Sequence, residues 1–246
     1  MTDTPADDLK PRFRSDVTVE LVKHTASDSD VLFAARVSTA GEQSLGELQK
    51  DPERSKGLIN YLMRDRHGSP FEHNSMTFLV SAPIFVFREF MRHRVGWSYN
   101  EESGRYRELQ PVFYVPDESR KLVQEGRPGK YVFVEGTQAQ QELTGRVMED
   151  SYRHAYEAYQ EMLAAGVARE VARAVLPVGL FSSMYATCNA RSLMHFLGLR
   201  TQHELAKVPS FPQREIEMVG EKMEAEWARL MPLTYAAFNA QGRVAP

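Results

Sequence analysis

Residues 88–107 hold the densest group of side chains that could bind or transform a ligand. Five arginines and three glutamates are interleaved here with His93, Trp97, Tyr99 and Asn100. Guanidinium groups hold phosphate oxygens through paired hydrogen bonds, and aromatic faces stack on planar rings. The mixture predicts a site for a phosphorylated nucleotide, and a solvated charged loop is the alternative.

A second group of polar side chains follows in the segments REVARAVLP and CNARSLMHFLGLR. Its members are Arg173, Asn189, Arg191, His195 and Arg200. Arg191 and His195 are four residues apart, on one face of a predicted helix, while Met194 and Leu197 can face the core. Because NARSLMHFLGLR contains no acidic residue, its arginines have no local partner. This favours an external anion over a helix that forms surface salt bridges.

Several common catalytic templates are absent from the sequence, which leaves a Ser, His, Asp triad open. GRPGK lacks the spacing and the Ser or Thr of a phosphate-binding loop, and no GxGxxG follows a strand. No HExxH occurs, and the seven histidines show no ligand spacing supported by cysteines, so no metal site is expected. No GxSxG turn announces a nucleophilic serine.

Composition restricts the class of protein. The 246 residues carry a net charge of −3, which gives no global attraction for nucleic acid. No apolar run is long enough to span a bilayer, and nothing near the N-terminus resembles a signal peptide, so no membrane association is expected. A single cysteine excludes an internal disulfide and suits a reducing, cytoplasmic location.

The hydrophobic patterns predict an α+β fold, with helices packed around one modest mixed or antiparallel sheet in a single domain. Strands are predicted at VTVELV, residues 76–80, PVFYVP and SSMYATC, and helices at VLFAARV, residues 58–62, APIFVFREFMRHR, residues 138–165, REVARAVLP, NARSLMHFLGLR and residues 216–227. The third of these helices is expected to place residues 92–94 at its end. Residues 1–16 read as a disordered tail before a domain over residues 17–246, and GRPGK as part of a surface loop.

RHR followed by SYNEESGRY, together with SPFEH, REVARAVLP and NARSLMHFLGLR, resembles the flavin-dependent thymidylate synthases from about Val17 to Phe238. The resemblance implies a homotetramer with active sites at subunit interfaces. It also implies FAD as cofactor, with dUMP, methylenetetrahydrofolate and NADPH as substrates and dTMP as product.

The resemblance also implies roles for individual residues. The implied FAD site comprises Ser38, His67, Ser69, Glu72, Arg92, His93, Arg94, Asn189, Arg191 and His195. The implied dUMP site comprises Glu89, Arg92, Glu101, Glu102, Ser103, Gly104, Arg105, Arg173 and Arg200. Arg200 is the implied catalytic residue, since it would polarise the pyrimidine and favour ionisation at N3.

The sequence departs from the family pattern at several positions. Three residues separate RHR from Ser98 where many members have two, so a bulge is expected. Glu89 stands where several members carry Gln, and it would require a neighbour such as Arg88 or Arg92. His195 replaces an Asn, and His203 is a further candidate for flavin contact.

Several alternatives remain at individual residues. His67 could cap the preceding helix instead of contacting flavin. Cys188 is expected to be an inert buried thiol, and Ser103 to bind phosphate and not to attack the ring. A single-stranded nucleic-acid binder and a metal-dependent phosphohydrolase are the competing functions, and neither would require a flavin.

Overall fold

The protein is described from a computed structural model that covers residues 10–41, 52–127 and 129–246. The strands are β1 Arg12–Arg14, β2 Thr18–His24, β3 Met76–Pro83, β4 Trp97–Glu101, β5 Val112–Tyr114, β6 Val123–Arg127, β7 Lys130–Val134 and β8 Phe181–Cys188. The helices are α1 Asp28–Ala40, α2 Pro52–Arg64, α3 Ile84–Phe90, α4 Gln138–Ala164, α5 Arg169–Ala172, α6 Ala190–Arg200, α7 Arg214–Leu230 and α8 Pro232–Ala240. The α+β class is therefore confirmed. None of the helices in the described ranges is long and apolar enough to cross a membrane.

The largest sheet has four strands in the order β2-β3-β8-β4. Every second residue of β3 is buried, beginning with Met76 and Phe78, because side chains alternate between the two faces of a strand. Two smaller sheets pair β1 with β5 in parallel and β6 with β7 antiparallel. The order brings β4 next to β8, and β8 is followed directly by α6.

The chain forms two compact units, and neither is continuous in sequence. One comprises Met1–Asp16, Ser81–Arg88 and Glu101–Ser183, and the other Val17–Val80, Glu89–Asn100 and Met184–Pro246. Because the chain passes repeatedly from one unit to the other, no interdomain linker is visible in the sequence.

Each unit has its own core. In the first, Tyr152, Tyr156 and Tyr159 of α4 pack with Phe113 and Leu180. In the second, α7 buries an apolar stripe that includes Val219 and Trp227, as its helical spacing predicts. The predicted inward direction of Met194 and Leu197 on α6 is also confirmed, since both are fully buried.

Five predictions about local structure are wrong. The tail does not extend to residue 16, because β1 pairs with β5 through backbone hydrogen bonds that a local reading cannot anticipate. The segment around GRPGK is the β6–β7 hairpin and not a loop. α3 ends at Phe90, so residues 92–94 lie beyond it, and Pro83 closes β3 and does not open α3. α1 does not end with the predicted VLFAARV but continues through Ser38 and Thr39, whose hydroxyls donate to carbonyls one turn earlier.

Candidate active site

The second unit contains a cavity of about 450 Å³ between the turn after α3 and the start of α6. Its lining residues are Glu72, Arg92, His93, Arg94, Val95, Gly96, Trp97, Asn189, Arg191, Ser192 and His195. Seven of them belong to the predicted flavin set. The predicted one-sided arrangement of Arg191 and His195 is confirmed, because both face this cavity.

Val95, Gly96, Trp97 and Ser192 also line the cavity but were absent from the predicted set. Gly96 has a φ of +70°, and a Cβ atom there would lie 2.1 Å from the Ser192 hydroxyl. The hydroxyl of Ser192 donates to the Val95 carbonyl at 2.9 Å, which attaches this turn to α6. The extra residue between RHR and Ser98, a departure already visible in the sequence, was the signal for this turn.

The first turn of α6 is capped by side chains. Asn189 accepts a hydrogen bond from the Ser192 amide at 2.9 Å, and Asn74 accepts one from the Ala190 amide at 2.8 Å. Capping satisfies amides that would otherwise lack a partner. The cap therefore fixes the direction in which Arg191 and His195 leave the helix.

The arginines of the cavity differ in their partners. Arg191 forms an ion pair with Glu72 at 2.5 Å, so the absence of a local acidic partner does not leave its guanidinium group unpaired. The carboxylate is 119 residues away in sequence and could not be found from α6 alone. Among the described residues, Arg92 and Arg94 have no ion-pair partner, and both are exposed. These two guanidinium groups are the ones available to an anionic ligand.

Ser38, His67 and Ser69 do not line the cavity. The His67 ring stacks on Tyr61 with centroids 5.5 Å apart, and its backbone amide, not its side chain, donates to the last turn of α2. A Cβ atom at Gly68 would lie 2.5 Å from Cζ of Arg191, so the backbone between His67 and Ser69 supports that guanidinium group. The backbone at Gly68 thus lies beside Arg191, while Ser38, His67 and Ser69 stay outside the cavity lining.

Glu89, His93 and Arg200 form one side-chain network next to the cavity. Arg200 pairs with the Glu89 carboxylate through Nη1, and its Nε donates to Nε2 of His93 at 3.1 Å. The partner of Glu89 is thus Arg200, and neither Arg88 nor Arg92 supplies it. Burial, assisted by Arg200 and His195, lowers the pKa of His93 to about 4. A neutral imidazole that accepts at Nε2 carries its proton on Nδ1.

The remaining residues of the predicted nucleotide site lie in the other unit. Arg105 pairs with Glu170 at 3.3 Å, and Glu102 pairs with Arg107 at 3.0 Å. Gly104 is buried, and a Cβ atom there would approach Leu109 and the side chain of Arg173. Burial raises the pKa of Glu101, with the Ser182 hydroxyl and Arg173 opposing the rise. Residues 101–105 and Arg173 thus form one local group.

Cys188 is buried at the end of β8, as predicted, and burial raises the pKa of its thiol. A thiol that resists ionisation is a poor nucleophile. We expect Cys188→Ala to change turnover by less than about twofold and to lower the free energy of unfolding by about 1 kcal/mol. Steady-state kinetics and denaturant titration measure both, and a loss of turnover in folded protein would show that the thiol takes part.

The structure defines an α+β protein with an arginine-lined cavity that is suited to an anionic ligand with planar rings. No group of His, Cys, Asp and Glu side chains in the described part of the chain could hold a metal ion. The cavity is lined by three arginines and one carboxylate residue, and Trp97 is also among its lining residues. This balance of charges suits an anionic ligand.

Comparison with known proteins identifies the family. Residues 20–233 match the family model described as thymidylate synthase complementing protein. The chain is 94% identical to the flavin-dependent thymidylate synthase of Streptomyces avermitilis and 88% identical to that of Streptomyces coelicolor, each over the full length of both chains. The chain therefore belongs to the flavin-dependent thymidylate synthase family, whose members are methyltransferases of thymidylate biosynthesis.

Solved structures agree with this assignment. The UMP/dUMP methylase PolB of Streptomyces cacaoi bound with 5-Br dUMP superposes with a TM-score of 0.90 at 59% identity, covering 95% of this chain and 99% of that one. The same methylase bound with 5-Br UMP gives a TM-score of 0.88 at 57% identity, covering 96% and 99%.

Proposed function

We propose that this enzyme methylates dUMP reductively to dTMP, with methylenetetrahydrofolate as the one-carbon donor and FAD, reduced by NADPH, as the hydride source. The observation that carries the proposal is the meeting of residues 92–94 with Asn189, Arg191 and His195 around one cavity. The identity of 94% with a flavin-dependent thymidylate synthase supports the reaction. Bound FAD, once reduced, supplies the hydride.

The residues fit such a cofactor. Arg92 and Arg94 are free of described carboxylate partners and can hold a diphosphate through charge-assisted hydrogen bonds. His93, held neutral by burial and by Arg200, presents its Nδ1 proton as a donor. The rest of the cavity wall is formed by Asn189, Arg191, His195 and Glu72. Only the outer part of the cofactor is proposed to contact Ser38, His67 and Ser69.

The nucleotide is assigned to two sets of residues. Glu89, Arg92 and Arg200 form one set, and Glu101, Glu102, Ser103, Gly104, Arg105 and Arg173 form the other. Arg173 supplies a guanidinium group for phosphate, and Arg200 supplies one for the pyrimidine. A guanidinium group fixed beside the ring stabilises negative charge that develops at N3 and its neighbouring oxygens.

We propose a cytoplasmic homotetramer with active sites at the subunit interfaces. Leu143 and Val147 lie one turn apart on α4 and are 52% and 45% exposed, as an apolar strip for another subunit would be. Sedimentation of the purified enzyme measures the assembly, and a monomer at micromolar concentration would refute it.

The first test is the visible spectrum of the enzyme after incubation with FAD and desalting. Retained flavin absorption that bleaches under anaerobic NADPH with dUMP present, followed by formation of dTMP once methylenetetrahydrofolate is added, supports the proposal. Folded protein that retains no flavin in repeated preparations would overturn it. UMP is assayed in parallel, because the solved relative is named as a methylase of both nucleotides.

Ser103 tests the substrate assignment. Its hydroxyl only accepts a weak 3.3 Å hydrogen bond from the Arg105 amide, so it remains available to phosphate. We expect Ser103→Ala to raise the KM for dUMP about tenfold, as the loss of roughly 1.5 kcal/mol from a hydrogen bond to a charged group implies. Initial-rate kinetics measure this change. Abolished turnover with unchanged dUMP affinity would instead point to a nucleophilic serine.

A further inference from the structure

Arg200 is held on three sides before any ligand binds. Its Nη1 pairs with the Glu89 carboxylate, its Nη2 lies 3.4 Å from the Glu89 carbonyl, and its Nε donates to His93 at 3.1 Å. The Arg200 side chain is 16% exposed and that of Glu89 is 23% exposed. The positive charge of Arg200 is therefore offset by one carboxylate in a partly desolvated environment.

The surroundings of Glu89 make its negative charge dependent on Arg200. The charged groups that face it are Arg200 on α6 and Glu215 on α7, while His93, in the turn that follows α3, is neutral. Burial raises the pKa of Glu89, Arg200 opposes the rise, and Glu215 adds to it through like-charge repulsion. Removing part of the attraction to Arg200 would therefore favour the protonated carboxyl group.

A second anion that binds to Arg200 would weaken the attraction between Arg200 and Glu89. Two negative groups that share one guanidinium group repel each other. At a partly buried site, protonation of one of them has the lower free energy. The pyrimidine acquires negative character at Arg200 under the proposed function. Gln at position 89 could not make this exchange, because it carries no titratable proton.

We propose that Glu89 is a positioning residue that acts as an exchangeable counter-ion: it holds Arg200 in the free enzyme and takes up a proton from solvent when the nucleotide engages that guanidinium group. This inference rests on the proposed function. In the balance, the Glu89 carboxylate and a proton form a carboxylic acid, and a proton that N3 loses on ionisation is released to solvent in wild type and in Glu89→Gln alike. The charge of Arg200 then becomes available to the substrate.

Linkage gives the direction of the pH effect. The nucleotide raises the pKa of Glu89 above its value in the free enzyme, so binding is accompanied by proton uptake between those two values. In that window the affinity falls as pH rises, by up to about tenfold per pH unit for one coupled proton. Below the free-enzyme value the carboxyl group is already protonated, and the effect vanishes.

The test is calorimetry of dUMP binding to the FAD-loaded enzyme, in two buffers of different ionisation enthalpy and at several pH values. Wild type and Glu89→Gln are compared, because ionisation of the dUMP phosphate contributes equally to both. We expect additional proton uptake in wild type and a steeper decline of its affinity with pH. Glu226→Gln removes an exposed carboxylate paired with Arg229 on α7 and should behave as wild type.

Equal proton uptake in wild type and Glu89→Gln, with the same dependence of dUMP affinity on pH, would overturn the inference and leave the proposed function intact. Failure of the wild-type holoenzyme to bind dUMP would overturn both. Should the Gln variant not fold, infrared difference spectra of wild type decide the matter. A new band from a protonated carboxyl group upon dUMP addition supports the counter-ion role, and its absence refutes it.

Discussion

Arg200→Ala is expected to lower kcat/KM by roughly 100-fold or more while FAD remains bound. Removal of a preorganised cation beside developing negative charge costs on the order of 3 kcal/mol in the transition state. Flavin retention should change far less than turnover, because Arg200 does not line the cavity that holds residues 92–94 and acts on it only through His93. Single-turnover kinetics and the absorption of desalted enzyme measure the two effects separately.

Loss of stability must be distinguished from loss of catalysis in this variant. Arg200→Ala leaves Glu89 partly buried without its cation, which is destabilising by itself. The double variant Arg200→Ala with Glu89→Gln removes both charges and should recover much of the stability but none of the turnover. Arg229→Ala, at an exposed ion pair on α7, serves as the control for removing an arginine. Normal turnover of Arg200→Ala would refute the catalytic role.

Gly96→Ala is expected to lower the free energy of unfolding by about 2 to 5 kcal/mol. The backbone at Gly96 has a φ of +70°, where a side chain is strained, and the new Cβ atom would lie 2.1 Å from the Ser192 hydroxyl. The overlap would push the turn away from Asn189 and the start of α6. Thermal unfolding and FAD titration should both show the loss.

Two variants separate the contributions at Gly96. Gly166→Ala has a comparable φ of +82° with no atom within 4 Å of the new Cβ, so it should show backbone strain alone. Gly96→Ala combined with Ser192→Ala removes the overlapping hydroxyl and should recover part of the difference. Gly96→Ala that is as stable as Gly166→Ala would show that the turn relaxes freely.

Much of the secondary structure could be predicted locally. The spacing of apolar residues on α4, α6 and α7 is a property of each segment alone, because one helix face must be buried wherever the helix packs. β1, the β6–β7 hairpin and α8 could not be found in this way. Strands such as β1 depend on a partner that is distant in sequence, and α8 is short and follows closely after α7.

In the candidate site, too, some features could be predicted from local sequence and others depend on residues that are distant in sequence. The residue types in RHR, SYNEESGRY and NARSLMHFLGLR were sufficient to predict an anionic nucleotide ligand and to indicate the family. Nearby carboxylates in the sequence do not tell which arginines are free. Arg191 pairs with Glu72, which is 119 residues away in sequence, and Arg200 pairs with Glu89, which is 111 residues away.

The sequence by itself was sufficient to predict the family of this protein, its arginine-rich segments, an inert cysteine and the amphipathic helix α6. Only the tertiary structure decided which charges neutralise one another. Ion pairing depends on distances that arise when the turn after α3 meets α6, and no local pattern encodes those distances. Arg92 and Arg94 are left available for ligand for the same reason, while Glu89 lies against Arg200.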